Sequence, residues 1–336
     1  MKEQTFYDVV GIGNAMVDVL AKVGDGFLKE RNLSKGSMVL LGAAEAGKIY
    51  SDITPEREVS GGSAANTIAG IASLGGNPAF IGKIHNDELG KTFKRDIGAA
   101  GIDFFTTPLG EGPSTGRSIV LVTPDAERSM FTYLGASKKL SIHDIDEDTI
   151  KSSKIVYLES YLWDGQSAPK AMVKACRLAK KHNKQVAFSL SDKQCVERHR
   201  QEFTKLIIKY VDILFANEEE IKALYQDDFF KTLDIVKNHC EIAAITRADK
   251  GSVVVNGRTK IFVEAETVKN VVDSTGAGDL YAAGFLYGLL NDRSLGTCAM
   301  IGGITAAEII SHYGARPEVS LRGFVRNRLR DYGKDL

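Results

Sequence analysis

Short β-branched runs separated by helical patterns recur along most of the 336-residue chain, and that alternation points to a parallel sheet covered by helices. The candidate core strands are Tyr7–Ile12, Ala79–Ile84, Lys154–Leu158, Gln185–Leu190, Ile213–Ala216, Ile242–Thr246 and Ser252–Val255. Helical patterns fall at Gly61–Leu74, Asp87–Ala100, Gln166–His182, Glu218–Tyr225 and Gly278–Leu290. The expected fold class is α/β, a doubly wound and mainly parallel sheet with helices on both faces. The chain is longer than a typical single domain, so a smaller unit added to one large body is expected.

Two stretches interrupt the alternation. Ala15–Val23 with Ser37–Leu41, and Arg117–Thr123 with Arg128–Leu134, read as two extended pairs. The second is joined through Pro124, Asp125 and Ala126, which suit a hairpin turn. Strands drawn from two places predict a small accessory sheet over the active-site edge, a lid formed by segments 14–60 and 104–137.

Composition narrows the partners. With 43 basic and 43 acidic residues the net charge is zero, which gives no electrostatic reason to expect nucleic acid and favours a small molecule. The N-terminal residues lack a charged segment followed by a long apolar core, so no secretory leader is expected. The apolar stretches Tyr281–Leu290 and Cys298–Ile310 are too short or too glycine-rich to span a bilayer. Cys176, Cys195, Cys240 and Cys298 lie far apart, which argues against a zinc ribbon, a redox pair or a disulfide framework. A cytoplasmic chain without a membrane partner is expected.

Two familiar nucleotide motifs fail. Gly11–Met16, GIGNAM, opens like a G-x-G-x-x-G fingerprint but puts Met16 at the third glycine, and Asp18 is far short of the usual spacing to the ribose-binding acid. Gly42–Ile49, GAAEAGKI, fits a P-loop up to its lysine and then puts Ile49 where a magnesium-binding hydroxyl is needed, so it reads as an ordinary helix.

The sharpest local feature is Val271–Leu286, VVDSTGAGDLYAAGFL, where an apolar strand end runs into a loop of small residues and then a helix. Gly276 and Gly278 let the backbone approach a ligand without a Cβ in the way, and the first N–H groups of the helix point outward unpaired. Such a loop is an anion hole, and the helix dipole adds partial positive charge there. Asp279 reads either as an ordinary first-turn acid or as a base that takes the proton of an attacking hydroxyl, the step a kinase needs. Two glycines, two polar residues and two aspartates within seven positions favour the second.

In Ser60–Gly76, SGGSAANTIAGIASLGG, glycines again open a helix. Ala64, Ala65, Ala69 and Gly70 read as a close-packed face. Gly61 and Gly62 permit backbone donors to reach a ligand, and the Asn66 amide can bridge two hydroxyls as donor and acceptor.

These two glycine motifs resemble the two signatures of the ribokinase-like (PfkB) carbohydrate and purine kinase family, and Asn86–Gly90, Ala100–Asp103 and Asn217–Glu220 extend the likeness over essentially the whole chain. The resemblance implies a doubly wound domain with a small β lid, Asp279 as catalytic base, and Gly276, Ala277 and Gly278 lining the anion hole. It also implies that Asn217 and Glu220 order Mg2+ and phosphate, largely through water. Thr246–Gly251 is similar to the family's T-x-G-x-x-G loop beside the nucleotide, with Ala248 in place of the first glycine. Thr246, Gly251, Thr275, Gly276 and Gly278 are thus the ATP-side candidates, and the carbonyls of Asp273 and Thr275 are candidates for a monovalent cation such as K+.

Gly13–Asp18, Tyr210–Glu218 and Glu127–Leu134 are more similar to the adenosine kinases of that family than to its sugar kinases. By that likeness Arg128 faces the transferring phosphate, and Asp18 accepts hydrogen bonds from two adjacent ribose hydroxyls, with Asn14 and Asn66 alongside. Met38, Leu40, Met130, Leu134 and Tyr161 correspond to the apolar base pocket. The resulting expectation is transfer from ATP to the 5′-hydroxyl of adenosine by a monomer or homodimer. The alternative is a sugar kinase acting on ribose, fructose or a keto-sugar acid. A silent nucleoside-binding protein would be expected to lose Asp279 or its glycines, and an NAD-dependent oxidoreductase is disfavoured by the failed fingerprints.

Overall fold

The computed structural model describes residues 6–125 and 127–334, without the side chains of Asp25 and Met38. In chain order the strands of the first half are β1 (Tyr7–Ile12), β2 (Met16–Lys22), β3 (Met38–Leu40), β4 (Arg57–Gly61), β5 (Pro78–Ile81), β6 (Asp103–Phe104), β7 (Gly116–Val122) and β8 (Arg128–Tyr133). Those of the second half are β9 (Ser153–Glu159), β10 (Gln185–Ser189), β11 (Ile213–Asn217), β12 (Ile242–Thr246), β13 (Ser252–Asn256) and β14 (Thr259–Val263).

Nine of them form one sheet in the order β14-β13-β12-β11-β10-β9-β1-β5-β6. From β12 to β6 every pairing is parallel, and β13 and β14 add an antiparallel edge. The run in β1 makes sense in this light: Val9, Val10 and Ile12 are all fully buried, because helices cover both faces of a parallel sheet. On one face, Phe80, Phe93, Tyr157, Phe215 and Phe285 pack with helices Ser63–Leu74, Glu88–Ala99, Ala277–Leu290, Leu295–Ile309 and Leu321–Asp331. On the other, Phe188 and Phe203 pack with helices Ala168–Lys181, Lys193–Tyr210, Glu218–Tyr225 and Phe229–Val236. The doubly wound expectation is met.

One contact places the site. A Cβ on Gly70 would lie 2.6 Å from the Cβ of Ala283, so this glycine lets helix Ser63–Leu74 lie hard against helix Ala277–Leu290. The two glycine-opened helices therefore run side by side.

The second sheet has the order β3-β8-β7-β2-β4 and its own core of Ala21, Leu28, Ile49, Ile119, Leu121 and Phe131. β7 and β8 form the expected antiparallel hairpin, in which Thr123 N–H reaches Glu127 O at 3.0 Å; Ala126 lies outside the described residues. The other expected pair does not form. β2 pairs with β4 and β7, while β3 pairs with β8. The helix Ala43–Ser51 intervenes between β3 and β4, and β4 escaped notice because its sequence, REVSG, neither alternates nor carries a long apolar run. Along β2, Val17, Val19 and Ala21 are buried on one side, which turns Met16, Asp18 and Leu20 to the other.

Candidate active site

Gly276 sits just before helix Ala277–Leu290 with φ +82°, and a Cβ there would come within 2.8 Å of the Cβ of Ala315. Backbone conformation and packing both demand glycine at this point. Gly278 differs: it is exposed, and an added Cβ would meet nothing within 4 Å. Its smallness answers no internal contact, which suits a first-turn N–H left open to an anion.

Asp273 organises the loop in front. Its Oδ1 accepts from the N–H of Thr275 at 3.1 Å and from Thr275 Oγ1 at 2.7 Å. Its Oδ2 accepts from Gly314 N–H at 2.9 Å and from Arg128, which reaches across from β8. Arg128 also lies over the Tyr313 ring at 5.3 Å, while its buried Nε has no partner. These contacts leave only the main-chain carbonyls of Asp273 and Thr275 for a monovalent cation.

Asp279 occupies the first turn, where its Oδ1 accepts from Ser63 Oγ at 2.6 Å and its Oδ2 from Asn66 Nδ2 at 2.9 Å. Burial raises its pKa above the usual carboxylate range, offset by those two bonds and by the charge of Arg316. Because Asn66 turns its NH2 toward the carboxylate, its oxygen faces away, and that buried oxygen has no partner. A buried acceptor left open beside a candidate base is what a hydroxyl substrate would fill.

Asp18 lies on the cleft-facing side of β2. A Cβ on Gly61 would fall 2.4 Å from the Asp18 carboxylate, and one on Gly62, where φ is +105°, would fall 2.1 Å from the carbonyl of Asn14. The glycine pair expected to bare the backbone to a ligand thus makes room for Asp18 and Asn14 themselves. Burial pushes the Asp18 pKa up to about 6, against the lowering effect of Arg316 and Arg128.

Glu159 was absent from the sequence-based candidates. It ends β9 fully buried, and its two oxygens accept from Asn14 N–H at 2.7 Å and Ala64 N–H at 2.6 Å. A Cβ on Gly13 would meet the same carboxylate at 2.7 Å. Burial pushes Glu159 up to about 7. The available signal was an acid directly after the apolar run Ile155–Leu158, a place where an unpaired charge is costly.

Between the second sheet and the body lies a cleft of about 50 Å3, lined among others by Asp18, Arg57, Arg128, Met130, Tyr313 and Arg316. Of the described side chains of the expected apolar pocket, only Met130 lines this cleft. Leu40 is 61% exposed, because the short edge strand β3 leaves it uncovered. Met38 stands opposite Met130 in register, its side chain outside the described residues. Leu134 is half-buried at the end of β8, and Tyr161 points its hydroxyl toward Ser191 O at 3.3 Å.

On the nucleotide side, Asn217 and Glu220 form a capping box at the start of helix Glu218–Tyr225. Asn217 Oδ1 accepts from Glu220 N–H at 2.8 Å, and the Glu220 oxygens accept from Asn217 N–H at 2.9 Å and Nδ2 at 2.7 Å. Burial pushes Glu220 up to about 7. With both oxygens engaged, the pair fits contact with Mg2+ through water better than direct ligation. Thr246 ends β12, and Gly251, φ +77°, would put a Cβ 2.0 Å from Val263 O, so this glycine is required by the turn itself. Ala248 has φ +51°, the left-handed conformation a glycine would adopt there more readily.

Comparison with known proteins agrees with this architecture. The model described as pfkB family carbohydrate kinase matches residues 53–321. An adenosine kinase from Sinorhizobium meliloti is 47% identical, with a TM-score of 0.89 over 96% of this chain and 99% of that one. A probable sugar kinase from Rhizobium etli CFN 42 is 42% identical, with a TM-score of 0.89 over 98% and 99%. A 5-dehydro-2-deoxygluconokinase from Geobacillus kaustophilus is 28% identical over 265 residues, 75% of this chain and 79% of that one.

Proposed function

The chain belongs to the pfkB family of carbohydrate kinases, and from that premise we propose that this kinase transfers the γ-phosphoryl group of ATP to the 5′-hydroxyl of adenosine. The observation that carries the reading is Asp279 held by Ser63 and by the NH2 of Asn66, whose own oxygen is left open, beside a cleft where Asp18 provides a second carboxylate. A hydroxyl placed against Asp279 gives its proton to that carboxylate as its oxygen attacks the γ-phosphorus and ADP leaves, while the open Asn66 oxygen accepts from a neighbouring hydroxyl of the acceptor. Charge that develops on the transferring group meets the N–H groups of Gly276, Ala277 and Gly278, and Arg128 when it leaves Asp273. Asp18 accepts from a vicinal diol. Magnesium, when bound, neutralises phosphate charge, and Asn217 and Glu220 would hold it through water.

The cleft of about 50 Å3 falls short of the roughly 300 to 1,000 Å3 of a small-molecule site, so acceptor entry requires the second sheet to move away from the body as a lid. Strong similarity to an adenosine kinase favours the nucleoside. A specific observation favours the other reading: Arg57, Arg128 and Arg316 line the same cleft and would suit the carboxylate of a keto-sugar acid, the acceptor class named for one relative.

An ADP-release assay at fixed ATP and magnesium decides between them, with adenosine, 2′-deoxyadenosine, ribose, fructose and 5-dehydro-2-deoxygluconate as acceptors. Adenosine is expected to exceed every free sugar in kcat/KM by orders of magnitude, with 2′-deoxyadenosine between because Asp18 loses one partner. Faster turnover of a sugar or sugar acid overturns the nucleoside reading and installs the alternative.

A further inference from the structure

Arg316, on the loop that follows helix Leu295–Ile309, takes no part in the phosphoryl-transfer step above, yet it joins the two halves of the site. Its Nε donates to Ser60 O at 2.8 Å, its Nη2 to Ser60 Oγ at 3.1 Å and its Nη1 to Ala65 O at 2.6 Å. Ser60 and Ala65 flank Gly61, Gly62 and Ser63, the turn that clears room for Asp18 and donates to Asp279. The two residues before Arg316 hold the other half: Ala315 backs Gly276, and Gly314 N–H binds Asp273. A planar guanidinium with fixed donor directions is suited to set such a distance, which an ammonium on a flexible stem is not.

We propose that Arg316 is a positioning residue for phosphoryl transfer, clamping the acceptor-side turn Ser60–Ala65 against the loop that supports the anion hole. The inference rests on Asp279 acting as base, whichever acceptor is used. Charge acts along the same line. Arg316 faces Asp18, Asp279 and Asp96; Arg128 is the second cation facing Asp18, and Glu159 and Glu220 lie close enough to Asp279 to feel its charge. Burial lowers the Arg316 guanidinium only to about 10, so it stays charged at neutral pH. Its charge opposes the upward shift that burial imposes on Asp18 and Asp279. A packing residue would share neither the fork geometry nor this effect.

The test compares wild type, Arg316→Gln, Arg316→Lys and Asp96→Asn with whichever acceptor the wild type uses best, reading kcat, both KM values and the pH profile of kcat/KM. Arg316→Gln is expected to lower kcat by about 10²-fold, the scale of a misplacement near 1 Å, while the KM for ATP stays within about twofold. Loss of the positive charge raises the pKa of both aspartates, so the acid limb moves to higher pH by about one unit. Arg316→Lys keeps the limb in place but does not restore kcat, since it carries the charge without the fork. Asp96 accepts from Ser60 N–H at 3.2 Å on the outer side of the clamp. Asn keeps that bond and removes an opposing charge, so Asp96→Asn moves the limb to lower pH. A folded Arg316→Gln with kcat within threefold and an unmoved limb overturns the proposal. Should that variant not fold, full kcat in Arg316→Lys or an unshifted limb in Asp96→Asn overturns it equally. A wild type that turns over no acceptor would instead refute the kinase assignment of Asp279.

Discussion

Asp279→Asn separates what the site does for chemistry from what it costs the fold. The amide keeps an oxygen to accept from Asn66 Nδ2, now 2.9 Å away, and its NH2 can donate to Ser63 Oγ, now at 2.6 Å, so both local bonds survive. Loss of the base is expected to lower kcat by about 10² to 10⁴-fold, about 3 to 5 kcal/mol in the barrier, with ATP affinity unchanged. Stability moves the other way. The folded-state pKa of Asp279 is raised above its unfolded value, chiefly by burial, so the protonated form is the one the fold prefers. The wild type therefore loses stability as pH rises from the unfolded pKa through the folded one, and the variant does not. The assay is thermal unfolding of both proteins from pH 4 to 8 beside turnover at pH 7.5. Asp279→Asn should melt higher at neutral pH, with the advantage fading on acidification. Near-wild-type turnover refutes the base assignment, and a variant that melts lower at neutral pH refutes the electrostatic account of the site.

Three further outcomes are expected. Asp18→Ala should weaken acceptor use far more than ATP use, since hydrogen bonds to a charged group contribute about 1.5 to 3 kcal/mol each; equal effects in steady-state kinetics would make Asp18 structural. Gly278→Ala should leave the melting temperature unchanged, because its Cβ meets nothing within 4 Å, yet lower kcat; Gly276→Ala should also destabilise the fold, costing about 1 to 2 kcal/mol for the left-handed backbone plus the contact with Ala315. Glu159 is raised from 4.5 to about 7, so its ionisation removes stability as pH rises through that window; the difference in melting temperature between wild type and Glu159→Gln should shift in favour of the variant from pH 5 to 8, and a pH-independent difference would contradict the buried-acid reading.

The large sheet was legible because each of its central strands carries its own apolar run: Tyr7–Ile12 and Ile242–Thr246 have the expected boundaries to the residue. The second sheet was legible only where strand and turn are local, as in β7 and β8. The choice of β4 and β7 as partners of β2 depends on where helix Ala43–Ser51 and the body put the chain, and no period in the sequence encodes that. In the site, Asp279 and Asn66 stood out because glycine-opened helices advertise their first turns. Glu159 and Arg316 did not, since each acts by binding backbone groups remote in sequence: Asn14 and Ala64 for one, Ser60 and Ala65 for the other. The glycines show the same limit from the other side. Gly278 owes nothing to its neighbours, whereas Gly61 and Gly62 are filled by Asp18 and Asn14, a difference only coordinates reveal.

The distribution of charge links lid position to chemistry. Asp18, Glu159, Glu220 and Asp279 are all shifted upward by burial. Arg316 opposes that shift at Asp18 and Asp279 and Arg128 opposes it at Asp18, and both bridge the second sheet and the body: Arg128 from β8 to Asp273, Arg316 from the C-terminal loop to Ser60 in β4. A lid movement of the kind proposed would therefore change the field of Arg316 around Asp18 as well as the room for the acceptor. With the sheet close, burial holds both carboxylates above the usual range and the nearby cations limit that rise, so a larger ionised fraction remains than burial alone would leave. A withdrawn sheet would carry Asp18 on β2 away from Asp279 on the body, so the two carboxylates would share the Arg316 field only in the closed arrangement.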